Sequence, residues 1–265
     1  MDLSSIYISP LELCNLSCRY CYTTKTKKIL TNRQILSFIK RYQNSLKKFS
    51  LAEGGRSGEA ERDLRLKSII FCGGEVFTLP KFTNLVNQLL AQNIFITIIT
   101  NGTVDKLVEI SDPHNCQLIV SFDGPKPLHD QNRGRGNFLK SKQFVNSALQ
   151  KGFPVEIFYL ITKDSFPYKD KLNIYDLPKT YLTDRLGSLS KAQTDIIRTN
   201  YPCYPPQNFG CSMLSLQSDG KFYSCCESRH AIGSLTDPIE NIINHYLKVY
   251  NPLCSDPSFF CHLKP

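Results

Sequence analysis

Short β-rich runs alternate with helical patterns along the first two thirds of the chain, and this alternation constrains the fold most strongly. Apolar residues spaced three or four apart predict helices, whereas runs rich in β-branched and aromatic residues predict strands. Strands separated by helices form parallel sheets, because a parallel connection needs a crossover of about a dozen residues or more. The sequence therefore predicts an α/β fold, best fitted by a curled, partial (β/α)5-6 TIM-like barrel. The predicted strands are 6–13, 68–72, 94–100, 117–122, 154–162 and 181–186, and the predicted helices are 31–49, 81–92, 104–110 and 139–151.

The alternation stops in the last third of the chain, which is rich in Cys and Pro and looks irregular. We place a boundary near residue 190, with the barrel over 1–190 and a small Cys-rich domain over 191–265. Asp219-Gly220 lies between two short β-like runs, as in the turn of a β-hairpin. The C-terminal part is therefore predicted to be a β-hairpin plus loops.

Polar or Gly-rich motifs follow four of the predicted strands. They contain Glu75, Asn101, Asp123 and Thr162. Barrels and open sheets of this type place their active sites at the carboxyl ends of the strands. The sequence therefore predicts one site at this edge of the sheet.

Three cysteines stand close together immediately after the first predicted strand. Cys14, Cys18 and Cys21 are separated by three and two residues. Four cysteines usually complete a metal site, so three leave one iron of a [4Fe–4S] cluster open to hold a small molecule. The alternative is half of a zinc site, although such sites usually add a second Cys pair or a His pair, and no such His pair follows.

The chain has 265 residues and 11 cysteines, with no apolar run long enough for a membrane span and no export signal at its start. We therefore expect a cytoplasmic protein whose cysteines ligate metal instead of forming disulfides. Cys72 and Cys116 lie in apolar, strand-like contexts and are interpreted as packing residues.

The formal charge of +9 is concentrated in residues 1–50, which contain nine Lys or Arg but only two acidic residues. A solvated helix face explains such a run most simply. The functional alternative is a docking face for an acidic partner, either an electron carrier such as flavodoxin or ferredoxin or an acidic substrate peptide. Nucleic acid is a weaker candidate, because aromatic residues are not interleaved with the basic ones.

Three motifs together resemble the radical S-adenosylmethionine (SAM) enzymes. The first is Cys-x3-Cys-x-aromatic-Cys with Tyr20 as the aromatic residue, and the second is Gly73-Gly74-Glu75 at a strand end. The third is the run 121–138, which begins Ser-Phe-Asp-Gly-Pro and resembles the SPASM and twitch branch of that family. In the family the open iron chelates SAM, and one electron breaks the sulfonium C–S bond to give a radical that takes hydrogen from the substrate.

The resemblance also implies which residues surround SAM. Tyr20 would pack on the adenine, and the Gly-Gly-Glu backbone and carboxylate would accept from the ammonium group of the methionine. Asn101 would lie at the third strand end. The remaining assignments place Ser121 and Asp123 near the SAM carboxylate or ribose and Arg133 beside a carboxylate. His129-Asp130 is interpreted as a structural brace of the strand end.

The tail resembles the accessory domain of the same branch, in its shorter twitch form. The resemblance implies a second, auxiliary [4Fe–4S] cluster held by Cys211, Cys225, Cys254 and Cys261. Cys203 or Cys226 could replace one of these ligands, and a zinc knuckle is the alternative.

The expected function is radical SAM oxidative modification or crosslinking of a peptide or protein side chain, with a separate peptide-recognition protein as a further partner. The alternative is a radical SAM dehydrogenase of a small alcohol or aminocyclitol, and a remote alternative is a zinc-containing nucleic-acid-binding module. Possible substrate-pocket residues near the last strand ends are Asp164, Tyr181, Asp184 and Arg185.

Overall fold

The structure, a computed structural model, describes residues 3–21, 23–53, 64–171, 176–183, 187–201, 213–226 and 228–249. These ranges contain nine strands and six α-helices. In chain order they are β1 (Ser5–Ile8), α1 (Asn32–Glu53), β2 (Ser68–Phe71), α2 (Phe82–Leu90), β3 (Phe95–Thr100), β4 (Cys116–Phe122), α3 (Lys126–Arg133), α4 (Asn137–Gln150), β5 (Val155–Ile161), β6 (Lys179–Thr183), α5 (Lys191–Asn200), β7 (Leu214–Leu216), β8 (Lys221–Tyr223), β9 (Ala231–Ser234) and α6 (Ile239–Val249).

The strands form one sheet in the order β6-β5-β4-β3-β2-β1-β7-β8-β9. Strands β1 to β6 are all parallel, and each pairs with the next strand in the sequence. This is the strand order of a (β/α) barrel, whereas a doubly wound sheet reverses its order at a switch point. The α/β class and the parallel sheet are confirmed.

Strand β7 pairs in parallel with β1, with Ile8 opposite Leu216, and then turns back antiparallel into β8. Gly220 has φ +78° at this turn, a backbone conformation that favours glycine. The predicted hairpin is confirmed, and it extends the sheet of the first part of the chain. The division into domains at residue 190 stays a prediction.

The main core lies between the sheet and the helices. Along α1, Ile35, Ile39, Tyr42 and Leu46 form an apolar stripe and are all buried. The helix starts with a capping box. The Thr31 backbone N–H donates to Gln34 Oε1 at 2.9 Å, and the Gln34 N–H donates to Thr31 Oγ1 at 3.2 Å.

The opposite face of the sheet carries smaller apolar clusters and a polar row. Tyr7, Ile70 and Met213 form one cluster, and Ile119 and Phe158 form another. In the polar row, Glu156 accepts from Gln117 Nε2 at 3.3 Å and from Thr180 Oγ1 at 2.7 Å. Burial raises the pKa of the Glu156 carboxyl group.

Three helices were not predicted. Helix α3 begins in a Pro-rich polar stretch, α5 has a Ser190–Gln193 capping box, and α6 buries Ile239, Ile242, Ile243 and Tyr246. The expectation of an irregular chain after residue 190 is therefore wrong at α5 and α6. Tertiary burial of one apolar stripe stabilises such short helices, whatever the composition around them.

Several predicted boundaries also change. The helix expected over 104–110 is only a 3-10 turn at Leu107–Glu109, and β1 ends at Ile8, five residues early. Strand β6 ends at Thr183, and residues 184–186 lie outside the described ranges. None of the described helices is both long and apolar enough to cross a membrane.

Candidate active site

The cysteine loop projects from the carboxyl end of β1. An antiparallel bridge between Leu11 and Ile29 closes its base. Cys14 and Cys18 are half-buried, Cys21 is exposed, and all three are free thiols. Within the described ranges, no three His, Cys, Asp or Glu side chains are grouped to hold a metal ion. A [4Fe–4S] cluster bonds each thiolate to a different iron, so the three free thiols of this loop fit a cluster with one open iron.

Gly73 and Gly74 pack the β2 loop directly against the segment that leads into Cys14. A Cβ atom at Gly73 would lie 2.3 Å from the Leu11 carbonyl oxygen, and one at Gly74 would lie 1.9 Å from that of Leu13. The Gly74 and Glu75 N–H groups donate to these same two oxygens at 2.9 and 3.0 Å. These glycines are needed for contact between two backbone segments, and their contact with SAM stays a prediction.

Glu75 is buried, with none of its surface exposed, and its carboxylate faces protein donors. Oε1 accepts from the Phe77 N–H at 3.2 Å and from Thr100 Oγ1 at 2.8 Å, and Oε2 accepts from the Asn101 N–H at 2.9 Å. Burial raises the pKa of this carboxyl group, and these hydrogen bonds oppose the rise. Glu75 thus joins the end of β2 to the end of β3, a role that the sequence did not reveal.

Asn101 lies at the end of β3, as predicted, and is buried beside the cysteine loop. Its side-chain Nδ2 lies 3.7 Å from Cys14 Sγ and 3.0 Å from Asn15 Oδ1. The carboxyl end of β3 and the cluster loop are therefore in direct contact.

The end of β4 contributes a buried ion pair. Arg133 Nε donates to Asp123 Oδ1 at 2.7 Å, and the Asp123 side chain is only 1% exposed. Burial raises the pKa of the Asp123 carboxyl group, and the charge of Arg133 opposes this rise. Burial likewise raises the pKa of the Cys18 thiol, and Arg133 again acts in the opposite direction. Ser121 is half-buried on β4, and the contacts of Ser121, Asp123 and Arg133 with SAM remain predictions.

The far end of the cysteine loop rests on α3 and on the end of β5. The Arg19 N–H donates to the Asn132 carbonyl oxygen at 2.8 Å. The Tyr20 hydroxyl donates to Asp164 Oδ2 at 3.2 Å, and Arg19 Nη1 lies 3.7 Å from the same oxygen. Packing of Tyr20 on an adenine stays a prediction, whereas the placement of Asp164 at the site edge agrees with the sequence.

Helix α3 is held by the two residues that were interpreted as a brace. His129 is buried between the rings of Phe122 and Phe138, at centroid distances of 5.2 and 5.5 Å, and burial lowers its pKa to about 3. Asp130 Oδ1 accepts from the Phe138 N–H at 2.8 Å. The structural interpretation of His129-Asp130 is confirmed.

Tyr181 is not a substrate-pocket residue. Its ring packs between Tyr159 and Tyr201, at centroid distances of 5.6 and 4.9 Å, in the main core on the helix side of the sheet. Side chains alternate between the two faces of a strand, so the neighbouring Thr180 and Leu182 lie on the other face.

The cysteines interpreted as packing residues behave as expected. Cys116 is buried, which raises the pKa of its thiol to about 12, and Cys72 packs against the Tyr7 cluster. Cys225 is buried, and Cys226 packs against the Tyr7 cluster as well. The other residues predicted for the tail and the last strand end lie outside the described residues: Cys203, Cys211, Cys254, Cys261, Asp184 and Arg185.

Sequence reasoning missed four polar residues that hold the site together. Thr100 and Ser141 donate to Glu75 and to the Asn101 carbonyl oxygen, and Asn15 and Thr103 contact the Asn101 side chain. Their only sequence signal was position, since Thr100 and Thr103 flank Asn101-Gly102 and Asn15 follows Cys14.

Comparison of the sequence with known protein families identifies the family of this chain. The Radical SAM superfamily profile matches residues 8–165, which include the cysteine loop, the Gly-Gly-Glu loop and the ends of β3, β4 and β5. The chain belongs to the Radical SAM superfamily. Radical SAM proteins bind a [4Fe–4S] cluster and SAM, and the three free thiols of the loop suit such a cluster.

A curated relative matches part of this chain. The chain is 27% identical over 161 residues to the sporulation killing factor maturation protein SkfB of Bacillus subtilis (strain 168), covering 57% of this chain and 34% of SkfB. The matched segment is therefore about a third of that relative.

Solved structures share the fold. The structure of native anSMEcpe with bound AdoMet gives a TM-score of 0.69 at 18% identity, over 94% of this chain and 83% of that one. Streptococcus suis SuiB bound to S-adenosylmethionine gives 0.66 at 13% identity, over 94% and 66%. The predicted partial barrel is thus consistent with Radical SAM folds.

Proposed function

We propose that this Radical SAM enzyme cleaves SAM reductively and oxidatively modifies or crosslinks a side chain of a peptide or protein. Its main support is the placement of the cysteine loop, which is braced against the carboxyl ends of β2 and β3. A bound cluster with SAM supplies one-electron cleavage of the sulfonium C–S bond and, from it, the abstraction of a substrate hydrogen atom.

The residues of the chain would bind and orient the reactants. Cys14, Cys18 and Cys21 would hold three irons, and the backbone carbonyls of Gly73 and Gly74 would accept from the SAM ammonium group. Arg133, fixed by Asp123, would face a carboxylate, because a guanidinium group recognises planar carboxylates. Glu75 would act indirectly, by holding the strand ends that carry the other groups.

A peptide substrate is supported by the names of the relatives. SkfB is a maturation protein, SuiB has been solved bound to its precursor peptide SuiA, and anSMEcpe has been solved with bound peptides. The excess of positive charge in residues 1–50 would suit an acidic peptide or an acidic electron donor such as flavodoxin or ferredoxin. A separate peptide-recognition protein would be a further partner.

A second, auxiliary [4Fe–4S] cluster would suit a net oxidation, because it can accept the odd electron. We assign it Cys211, Cys225, Cys254 and Cys261, with Cys203 or Cys226 as replacements for one ligand. Cys225 follows the end of β8 by two residues, so the β7–β8 hairpin would present this ligand.

Anaerobic reconstitution with iron and sulfide tests the proposal, on the wild type and on a Cys14/Cys18/Cys21→Ala variant. We expect about eight irons in the wild type and about four in the variant, with 5′-deoxyadenosine formed by the wild type alone when SAM and dithionite are added. About four irons in the wild type would contradict the proposed auxiliary cluster. Bound zinc without iron or 5′-deoxyadenosine would overturn the proposed enzyme.

The substrate class is tested separately with candidate peptides and with small alcohols or aminocyclitols. A peptide that increases 5′-deoxyadenosine formation and changes mass by loss of hydrogen would support the maturase. If only an alcohol or aminocyclitol increases 5′-deoxyadenosine formation and loses hydrogen, the enzyme is a dehydrogenase and the proposed peptide modification is wrong.

A further inference from the structure

Cys14 is distinguished from the other two loop cysteines by the N–H groups aimed at its sulfur. Asn101 Nδ2 lies 3.7 Å from Cys14 Sγ, and the Leu16 backbone N–H donates to the same sulfur at 3.4 Å. Among the described residues, no N–H donates to the sulfur of Cys18 or Cys21. Donors therefore converge on one thiol of the three.

The orientation of the Asn101 amide group follows from its neighbours. The Thr103 backbone N–H, which can only donate, points at Asn101 Oδ1 at 2.9 Å, so the Nδ2 side of the amide must face Cys14. The Thr103 hydroxyl donates to the same Oδ1 at 2.6 Å and accepts from Asn15 Nδ2 at 2.8 Å. Asn15 Oδ1 accepts from Asn101 Nδ2, which closes a ring of three hydrogen-bonded side chains.

The Asn101 backbone is fixed on both sides by buried groups. Its N–H donates to Glu75 at 2.9 Å, and its carbonyl oxygen accepts from Ser141 Oγ at 2.7 Å. Gly102 follows with φ +67°, and a Cβ atom there would lie 2.9 Å from Val120 Cγ1. The amide therefore has little freedom to turn away from Cys14.

We propose that Asn101 is a positioning residue that donates a hydrogen bond to the Cys14 thiolate and thereby raises the reduction potential of the SAM-binding cluster. The proposal rests on the proposed function, because it concerns the cluster that the loop would hold. An added electron increases negative charge on the ligand sulfurs, and an N–H donor stabilises that charge, so hydrogen bonds to sulfur favour the reduced cluster. A weaker reductant could then supply the electron for SAM cleavage.

The test is the midpoint potential of the SAM-binding cluster in the reconstituted full-length protein, followed by its EPR signal and identified by its response to SAM. Asn101→Ala removes the donor without adding charge. Asn101→Asp keeps an acceptor for Thr103 but places a carboxylate where the donor was. Asn15→Asp is the matched control, because it adds the same charge beside Cys14 and leaves the Asn101 amide in place.

We expect a more negative midpoint potential in Asn101→Ala than in the wild type, and a larger drop in Asn101→Asp than in Asn15→Asp. If Asn101→Ala loses iron, the two Asp variants decide the question. Equal potentials for Asn101→Ala and the wild type at equal iron content would overturn the inference, as would equal drops in the two Asp variants. A wild type that assembles no cluster would instead overturn the proposed function.

Discussion

The two ends of the cysteine loop are held in different ways. At the Cys14 end, buried groups of the β2 and β3 loops contact the backbone of residues 11–13 and the Cys14 sulfur. At the Cys21 end, the contacts are a backbone hydrogen bond to α3 and polar contacts of Arg19 and Tyr20 with Asp164, which are partly exposed. Buried polar networks rigidify a structure, whereas exposed pairs contribute little. The protein therefore preorganises the Cys14 thiol, whereas the position of the Cys21 thiol depends more on the bound cluster.

Gly74→Ala should have the largest effect on stability, by disrupting the packing at the Cys14 end of the loop. The new Cβ would lie 1.9 Å from the Leu13 carbonyl oxygen, and neither backbone segment can yield cheaply. We expect a loss of about 3 kcal/mol or more in the free energy of unfolding, measured by urea denaturation, together with reduced iron binding. Gly136→Ala is the control, because it carries only the strain of φ +84° with nothing within 4 Å. Similar losses in both variants would contradict the packing explanation.

Glu75→Gln should lower the free energy of unfolding by about 1–3 kcal/mol, because it disturbs the same end of the loop. The amide offers one acceptor oxygen, so the N–H of either Phe77 or Asn101 would face another donor. Glu109→Gln is the matched control, since among the described residues the side chain of Glu109 accepts only from the rotatable Thr83 hydroxyl. An unchanged denaturation midpoint for Glu75→Gln would mean that the carboxylate is not a brace.

Low pH should destabilise the folded protein through His129, which anchors helix α3 beside the Cys21 end of the loop. Its pKa falls from 6.5 in the unfolded chain to about 3 in the folded protein, so below pH 6.5 the unfolded chain binds one more proton. Unfolding free energy should therefore fall by up to about 1.4 kcal/mol for each pH unit below 6.5 through this group. His129→Phe should remove that slope between pH 6.5 and 5, whereas the variant of exposed His114, His114→Phe, should keep it. Parallel slopes for both variants would rule out His129 as the source.

Tyr20→Phe should have the smallest effect, under about 1 kcal/mol in unfolding free energy. It removes a partly exposed hydroxyl–carboxylate hydrogen bond and keeps the aromatic ring. SAM affinity, measured by titration of the reconstituted enzyme, should also be retained if the ring packs on adenine. A loss of stability as large as that of Glu75→Gln would show that both ends are held alike. The half-exposed Tyr168 supplies the matched control, Tyr168→Phe.

The six parallel strands, and the meeting of their polar carboxyl ends at one edge of the sheet, followed from the sequence because both depend on local patterns. Alternation of strands and helices fixes a parallel sheet, and polar residues after each strand then meet at one edge. Helix α3 was missed because Pro125 and Pro127 and a polar composition hide its start. It is stabilised by burial of His129 between aromatic rings, which local propensity does not reveal.

The direction of individual side chains was not predictable. Glu75 was expected to face the ligand, but the pairing of β2 with β3 brings Thr100 and Asn101 to its carboxylate. Tyr181 was expected in the substrate pocket, but the register of β6 turns it to the helix side. A shift of one residue in strand register moves a side chain to the other face of the sheet. The direction of a side chain can therefore be assigned only when the register is known.

The pairing of β1 with β7 has a consequence for how the protein is made. Strand β1 leaves the ribosome before its neighbour β7, which ends at Leu216. At about 5–20 residues per second, the ribosome reaches that residue roughly 10 to 40 seconds after β1. Until then β1 presents an unpaired edge, and contacts so distant in sequence form slowly. The support beneath the cysteine loop is thus completed late in synthesis, and iron delivered earlier would meet a half-assembled nascent chain.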